Sequence, residues 1–314
     1  MTGGDRYRIA HISDPHLTTL RDAGARELCN KRILGYLSWL LRRRREHRRE
    51  VLSALLRDVH GRQPDHVVIT GDLTYIGTPC ECAEAVQWLR DVSALHPLTL
   101  IPGNHDCYTA APWEKTLGLW YEFMAGDGRQ DPGSASGLFP SLRRRGPVAI
   151  VGLSSAVPSL PFFATGTLGT AQLQELERLL VQAGREGLFR LLLIHHPPVP
   201  ARLGRRRALT DANGLQQVLK RAGAELVLHG HSHCWMNTSV PGPQHEIPAL
   251  GIPSASARVT RPGRRAGYSI LDIATTASGW DVEVTQLELT ADGVAFRRHG
   301  SMQWGLAHSQ GRSD

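Results

Sequence analysis

Short apolar runs alternate with longer amphipathic segments along this chain of 314 residues. The runs are rich in Val, Ile and Leu, which is typical of strands buried on both faces of a sheet. They cover residues 7–13, 66–70, 98–102, 189–194 and 225–229. Helices are predicted between them at 79–95, 113–124, 170–183 and 211–222. This alternation predicts an α/β fold built of layers.

The second half of the chain predicts further strands. Residues 148–153 return to strand character, and 247–252, 267–273, 280–289 and 294–298 follow, with a turn at Asp292-Gly293. We expect these strands to complete a second sheet packed against the first. Residues 1–299 are predicted to form one domain, and residues 300–314 a disordered tail.

An insertion is predicted at about residues 20–61, between the first two strands. Apolar and aromatic residues such as Tyr36 and Trp39 precede a basic run at 42–49. The pairing is typical of surfaces that meet anionic lipid or a charged ligand. A helix whose apolar face packs on the core while its arginines are solvated explains the pattern equally well, so both interpretations stay open.

The composition narrows the class of protein. The formal net charge is +7, mostly from arginine, which favours bidentate contacts with phosphate or carboxylate. Five scattered cysteines without paired spacing predict neither a disulfide framework nor a zinc knuckle. No apolar stretch approaches membrane-spanning length, and the N-terminus has no signal-peptide pattern. We therefore expect a cytoplasmic protein. An alternative is a cytoplasmic protein bound peripherally to the inner face of the membrane.

Polar clusters follow each of the five apolar runs. Because ligands bind in open α/β folds at the carboxyl ends of strands, these clusters should meet at one rim of a sheet. In Asp-x-His and His-x-His, both side chains point to the same side of an extended strand end. Two carboxylates, one amide and four imidazoles suit Mn, Fe or Zn better than Ca or Mg. The candidate ligands are Asp14, His16, Asp72, Asn104, His195, His231 and His233.

The order of these clusters resembles that of the calcineurin-like metallophosphoesterase superfamily, whose pattern D-x-H, GD, GNH-[DE], H and GH-x-H is matched over residues 14–233. The resemblance implies a four-layer α/β/β/α sandwich of two mixed sheets flanked by helices. It also implies two divalent metal ions, with Mn expected and Fe or Zn as alternatives. One ion would be held by Asp14, His16, Asp72 and His233, and the other by Asp72, Asn104, His195 and His231.

The resemblance further implies attack on phosphorus by a metal-bridging hydroxide. His105 would stabilise the transition state or protonate the leaving oxygen, oriented by Asp106. Either His195 or His196 could reach the metal, and we choose His195 because it directly follows the apolar strand. Candidate substrate-binding residues are His196, Arg42, Arg43, Arg205, Arg206 and Arg207.

The substrate is a separate question, since the superfamily acts on many phosphate compounds. Tyr75 stands where its protein Ser/Thr phosphatases carry an acid, which counts against that role. We favour a bulky phosphodiester or pyrophosphate, lipid-linked like UDP-2,3-diacylglucosamine, because the superfamily's pyrophosphatases for that lipid carry a comparable basic and apolar lid. Alternatives are a cyclic-nucleotide phosphodiesterase and, from another class, a catalytically silent metal-binding scaffold. Nucleic acid is not expected, because no aromatic platform is interleaved with the basic residues. The oligomeric state stays open.

Overall fold

The computed structural model describes residues 6–20, 24, 28, 31–129, 137–199, 204–258 and 261–307. Within these ranges the strands are β1 (Arg6–Ile12), β2 (His66–Ile69), β3 (Leu98–Leu100), β4 (Ser141–Arg145), β5 (Val148–Gly152), β6 (Phe189–Leu193), β7 (Leu226–His229), β8 (Met236–Pro241), β9 (Glu246–Gly251), β10 (Gly267–Thr276), β11 (Gly279–Leu289) and β12 (Phe296–Ala307). The helices are α1 (Arg32–Ser38), α2 (Arg44–Glu46), α3 (Arg49–Gly61), α4 (Pro79–Ser93), α5 (Tyr121–Met124), α6 (Thr170–Arg185) and α7 (Ala212–Ala222).

The strands form two mixed sheets of six strands each. The first has the order β12-β11-β10-β1-β2-β3 and the second the order β4-β5-β6-β7-β9-β8. Strands β1, β2 and β3 run parallel, as do β5, β6, β7 and β9. The parallel strands carry the predicted functional clusters, so their carboxyl ends face the same edges of the two sheets.

The sheets pack face to face, and helices cover their outer faces. Ile9 and Val68 of the first sheet meet Ile150 and Leu191 of the second in the central core. Helices α3 and α4 cover the outside of the first sheet, and α6 and α7 the outside of the second. Each fully buried aliphatic side chain in these layers contributes roughly 1.5–3 kcal/mol to folding. The predicted α/β/β/α sandwich is confirmed.

Strand β1 shows why the apolar runs form central strands. Ile9 points into the core between the sheets, whereas Ala10 and Ile12 point to the helices on the other face. Because both faces are covered, the strand has no polar alternation. The same two-sided burial explains β2, where Val68 faces inward and Val67 outward.

The predicted pairing of the last strands is wrong. Strands β10, β11 and β12 extend the first sheet from β1, whereas β5 and β9 join the second sheet as predicted. The predicted tail is also wrong for residues 300–307, which pair with β11 as part of β12. Residues 308–314 lie outside the described residues. Local alternation cannot tell which β-sheet a strand joins, because both offer the same apolar face.

Three local predictions also need correction. Residues 113–124 form two short 3₁₀ turns followed by α5, since the backbone of Thr116 leaves the helical region. Strands β4 and β8, with half-exposed and polar sequences, were not predicted. The insertion is shorter than predicted, because α3 packs on the first sheet as the crossover helix between the parallel strands β1 and β2.

The remaining insertion, α1 to α2, forms a small cap near the strand ends. A π-helical segment, Trp39–Arg43, joins the two helices. Trp39 packs with Tyr75 and Ile76 in a small core of its own, while Leu37 and Leu41 stay exposed. Residues 21–23, 25–27, 29 and 30 lie outside the described residues. No helix that the structure describes is long and apolar enough to cross a membrane.

Candidate metal centre

Hydrogen bonds join the strand ends of the two sheets. The backbone N–H of His231, after β7, donates to Asp14 Oδ2 at 3.1 Å, after β1. The ring of His195, after β6, hydrogen-bonds through Nδ1 to the carbonyl of Thr70 at 2.7 Å, after β2. Segments far apart in the sequence therefore meet at one edge of the sandwich.

The backbone is strained where the candidate ligands lie. Asp14, His16, Asp72, His231 and His233 all have positive φ, between 39° and 66°. Among the described residues, only two other non-glycine positions share this conformation. Side chains rarely adopt it, and such strain concentrates at functional sites. The turns after the strands aim these side chains inward at a conformational cost.

Glycine is required beside two of these ligands. A Cβ on Gly103 would overlap the Asp72 carboxylate and lie within 2.5 Å of the Asp72 nitrogen. A Cβ on Gly230 would overlap the Ser13 hydroxyl and lie 2.5 Å from Asp14 Oδ2. The Gly-Asn and Gly-His pairs of the motifs thus have a steric reason: the backbone passes directly against a carboxylate.

Four side chains form the first candidate metal site. One ligand atom each of Asp14, His16, Asp72 and His233 lies within 4.8 Å of the others. His16 Nδ1 bonds the Thr74 carbonyl at 2.9 Å, so the ring presents Nε2 to the site. Both His16 Nε2 and Asp14 Oδ1 are buried without a hydrogen bond, and Asp14 Oδ1 faces His233 Nε2 at 3.0 Å. Buried polar atoms are nearly always paired, so these two fit a cation.

The second candidate site shares Asp72 with the first. Asp72 Oδ2 lies 3.4 Å from His195 Nε2 and 4.0 Å from His16 Nε2, and so stands between the two sites. Asn104 Oδ1 lies 3.1 Å from His195 Nε2 and 2.8 Å from His231 Nδ1. The outer ring nitrogens of both histidines bond backbone carbonyls, those of Thr70 and Arg207. Each ring is thereby fixed with its other nitrogen turned inward.

Electrostatics keep Asp72 and His16 in the forms that bind metal. Burial opposes ionisation of Asp72, but the charge of His195 outweighs it and holds the carboxyl pKa well below its usual range. At His195 burial opposes protonation, but the Asp72 carboxylate outweighs it and raises the pKa to about 9, so a metal ion would have to displace that proton. Burial, and then the neighbouring His47, lowers the pKa of His16 well below its ordinary value. Asp72 and His16 therefore offer a carboxylate and a neutral imidazole. Two divalent ions here would polarise a phosphoryl group and supply its nucleophile.

His105 lies beside the candidate ligands, and its catalytic role stays a prediction. Its Nδ1 donates to the Tyr75 carbonyl at 2.6 Å, and its Nε2 accepts from Arg43 Nη1 at 2.8 Å. Burial, followed by the Arg43 charge, lowers the pKa of His105 to about 3, so this arrangement holds a neutral imidazole beside a cation. The Arg43 guanidinium is thus the positive group next to the ligands.

Asp106 does not orient His105, contrary to the prediction. Its carboxylate accepts from the backbone nitrogens of Asp72, Gly103 and Thr74 at 2.8, 2.9 and 3.0 Å. Burial and the nearby Asp72 raise its pKa to about 7. Asp106 therefore fixes the loops that carry Asp72 and Asn104, while the Tyr75 carbonyl orients His105.

The predicted substrate-binding residues separate into two groups. Arg42, Arg43 and Arg207 line a cavity of about 540 Å³ over the ligands, whereas Arg205 and Arg206 are exposed on a 3₁₀ turn and do not line it. His196 is fully buried, with Nδ1 2.8 Å from Ser155 Oγ and Nε2 3.1 Å from the Ala164 carbonyl. Neither nitrogen is free for substrate or metal. His196 is thus a structural residue, and the choice of His195 as candidate ligand stands as a prediction.

One histidine near the centre was missed. His47 lies at the end of the basic run, is buried, and one of its ring nitrogens lies within 4.8 Å of ligand atoms of His16 and His233. The sequence did contain one sign of it: a single histidine stands among the arginines just before α3 begins. The run was interpreted as a charged surface, so its one uncharged member was overlooked.

Comparison with known proteins agrees with this geometry. Residues 7–235 match the family described as calcineurin-like phosphoesterases. The chain belongs to this family and is a hydrolase acting on phosphoester bonds. It is 26% identical over 308 residues to a protein of Synechococcus sp. (strain WH7803) described as a probable cyclic nucleotide phosphodiesterase, covering 95% of this chain and 96% of that one. A probable cyclic nucleotide phosphodiesterase of Rhodococcus erythropolis is 30% identical over 232 residues, which are 73% of this chain and 65% of that protein.

Solved structures share the fold. A purple acid phosphatase from yellow lupin (Lupinus luteus) seeds superposes with a TM-score of 0.61 at 13% identity, covering 96% of this chain and 54% of that one. A dimetal phosphatase from Danio rerio gives a TM-score of 0.56 at 11% identity, covering 96% and 99%. At these identities the likeness concerns the fold.

Proposed function

We propose that this protein hydrolyses a phosphodiester bond of a nucleotide with the help of two divalent ions. Both ions would share Asp72; one would also be held by Asp14, His16 and His233, and the other by Asn104, His195 and His231. The observation that carries the proposal is the cationic cavity over those ligands. Arg42, Arg43, Arg207 and Arg264 line it against only Glu46 and Asp72 as acids. Arginine forks match phosphate oxygens, and a partly desolvated guanidinium binds them more strongly than a solvated one.

Arg43 is the proposed anchor for the phosphate. Its guanidinium hydrogen-bonds His105 Nε2, and burial lowers its pKa. No salt bridge joins Arg43 to a carboxylate among the described residues. Arg43 is partly buried, and Asp72 acts on it only through its charge; a cation without a direct ion pair is suited to an anionic ligand. When phosphate oxygens take the Arg43 donors, His105 Nε2 faces the same space as the substrate.

A cyclic nucleotide is the first candidate substrate. The relatives named above are described as probable cyclic nucleotide phosphodiesterases, and one of them aligns along nearly its whole length. In this reaction water oxygen bonds to phosphorus, the P–O bond of the ring opens, and the leaving oxygen takes a proton. The cavity of about 540 Å³ has room for a nucleotide monophosphate.

A lipid-linked phosphate or pyrophosphate is the second candidate, because a second cavity is amphipathic. It measures about 720 Å³ and lies on the other side of His16 and His47. Tyr36, Trp39 and Leu40 form its apolar wall, with Arg44, Arg45, Arg48 and Arg49 around it. Nearby, Ile33, Leu37 and Leu41 are exposed at a spacing of four residues, which places them on one helix face. Such a face beside arginines suits an anionic lipid surface.

Hydrolysis assays with purified protein and Mn²⁺ test the first candidate. The substrates are 3′,5′-cyclic AMP, bis-p-nitrophenyl phosphate and p-nitrophenyl phosphate. We expect the diesters to be cleaved, and Arg43→Ala to lower kcat/KM on the order of 10²-fold, the usual cost of one charge-stabilising donor. Arg57→Ala, on the exposed face of α3, is the control. Metal-loaded protein that cleaves none of these compounds would contradict the proposal.

A lipid-linked substrate is tested separately with UDP-2,3-diacylglucosamine in vesicles. If the second candidate is correct, Arg45→Ala, in the amphipathic cavity, lowers turnover of the lipid substrate but not of bis-p-nitrophenyl phosphate. Cosedimentation with phosphatidylglycerol vesicles should then weaken in Leu37→Ser/Leu41→Ser. Turnover of cyclic AMP without any turnover of the lipid substrate would reject this candidate.

A further inference from the structure

His47 is a buried histidine beside the candidate metal centre that has no role in the proposed function. The residue lies between α2 and α3 with an extended backbone. It forms an isolated antiparallel bridge with Ala257, and Arg48 N donates to the Ser256 carbonyl at 2.9 Å. Arg258 N donates to the Glu46 carbonyl at 2.7 Å. The cap is therefore fastened to the segment after β9 through residues 46–48.

Two serines hold Nδ1 of the His47 ring. Ser256 Oγ lies 2.9 Å from Nδ1. Ser254 Oγ, which donates to the Asp14 carbonyl at 2.6 Å, lies 3.2 Å from the same Nδ1. These contacts occupy Nδ1 and leave Nε2 as the nitrogen available to a metal ion. Metal-binding histidines are commonly held this way, with the outer nitrogen donating to a protein oxygen.

The remaining nitrogen is placed at the first candidate metal site. The ring centroid of His47 lies 4.6 Å from that of His16 and 5.7 Å from that of His233. Ligand atoms of these three histidines lie within 4.8 Å of one another. Among the described residues Nε2 of His47 has no hydrogen-bond partner. His47 thus borders the first candidate site on the side of His16 and His233, and not on the side of Asp14 and Asp72.

We propose that His47 Nε2 is a further protein ligand of the metal ion held by Asp14, His16, Asp72 and His233. This inference rests on the proposed metal centre. It adds a consequence for the cap: one metal ligand comes from the insertion, so binding of that ion fixes the segment joining α2 to α3. Arg43, earlier in the same cap, already hydrogen-bonds His105 beside the centre, so the bound ion would further stabilise the arginines placed there.

Co²⁺ binding tests the proposal without measuring activity. Wild type, His47→Gln and the control His60→Gln, on α3, are titrated with Co²⁺ by calorimetry and visible absorption. Wild type should bind two ions. His47→Gln should bind one of them at least about tenfold more weakly, with a changed d–d spectrum, while the other ion is unaffected. Equal affinities and an unchanged spectrum in His47→Gln would overturn the proposal. Wild type that binds no ion would instead refute the proposed metal centre itself.

Two further measurements guard against a folding artefact. Ser256→Ala removes only a partner of Nδ1, so it should weaken the same ion by a smaller factor and leave the apo protein's Tm unchanged. Hydrogen exchange should show that metal protects the amides of residues 44–48 in wild type and not in His47→Gln. Equal protection in both proteins would show that the ion does not act through His47.

Discussion

At the scale of single residues, the candidate centre is defined by what surrounds each side chain. His195 and His196 are neighbours, yet His195 turns Nε2 towards the candidate ligands Asp72 and Asn104, whereas both ring nitrogens of His196 bond Ser155 and Ala164. Asp106 has its oxygens occupied by backbone N–H groups. Hydrogen-bond partners, rather than residue type, thus separate candidate ligands from supporting residues.

Gly103→Ala tests this crowding directly. The new methyl group would overlap the Asp72 carboxylate, so we expect the bridging ligand to shift and kcat/KM for bis-p-nitrophenyl phosphate to fall on the order of 10²-fold, because small misplacements at a site are costly. Metal stoichiometry by mass spectrometry should fall as well. Gly61→Ala, where a methyl meets no atom within 4 Å, is the control and should keep full activity. Full activity in Gly103→Ala would refute the role given to Asp72.

At the scale of elements, the last strand shows that residues 300–307 belong to the first sheet and not to a disordered tail. β12 is a 12-residue edge strand whose burial alternates, with Met302, Trp304 and Leu306 packed against the central core. Its exposed positions are polar or glycine, which made the segment resemble a tail. Pairing along the whole length of β11 is what holds it in the sheet.

A chain ending at His299 tests the structural role of β12. It loses the partly buried side chains of residues 302, 304 and 306 and leaves β11 as an exposed edge. We expect a loss of about 2–4 kcal/mol in unfolding free energy, from the apolar area returned to water. Urea denaturation measures it, with a chain ending at Ala307 as the control. Equal stability of the two truncated chains would show that β12 adds nothing.

At the scale of the whole molecule, the four-layer packing buries several histidines away from the candidate centre. His66 on β2 is fully buried, and its Nε2 lies 2.8 Å from Thr99 Oγ1. Burial, and then the charges of Arg145 and Arg143, lowers its pKa to about 3, with Asp127 acting in the opposite sense. Folding thus holds this imidazole neutral at pH values where the unfolded chain would protonate it.

The sign of the resulting pH dependence follows from proton linkage. Below about pH 6.5 the unfolded chain binds a proton at His66 that the folded chain does not, so stability falls as the pH falls towards 3. Between pH 7 and 5 we expect His66 to account for a loss on the order of 1–2 kcal/mol. In His66→Gln this part of the loss should disappear in urea denaturation at the two pH values. His245→Gln, at an exposed position, should keep the wild-type slope, and an unchanged slope in both would contradict the assignment.

The sequence by itself determined the fold class, the family and the central strands. Apolar runs such as 66–70 and 189–194 predict strands because a strand that is buried on both faces of its sheet is apolar along nearly its whole length. The polar clusters after them predict which candidate ligands meet, since carboxyl ends of parallel strands share an edge. These properties are local or repeat along one strand, so a single sequence contains them.

Only the tertiary structure decided which neighbours each element and side chain has. It placed β10–β12 on the first sheet rather than the second, brought Arg43 to His105, and set His47 beside His16 across 31 residues of chain. It also showed that Asp106 accepts from backbone N–H groups rather than orienting His105, and that His196, predicted to bind substrate, has both ring nitrogens hydrogen-bonded to the protein. Such contacts depend on the packing of distant segments, which periodicity and motif spacing do not specify.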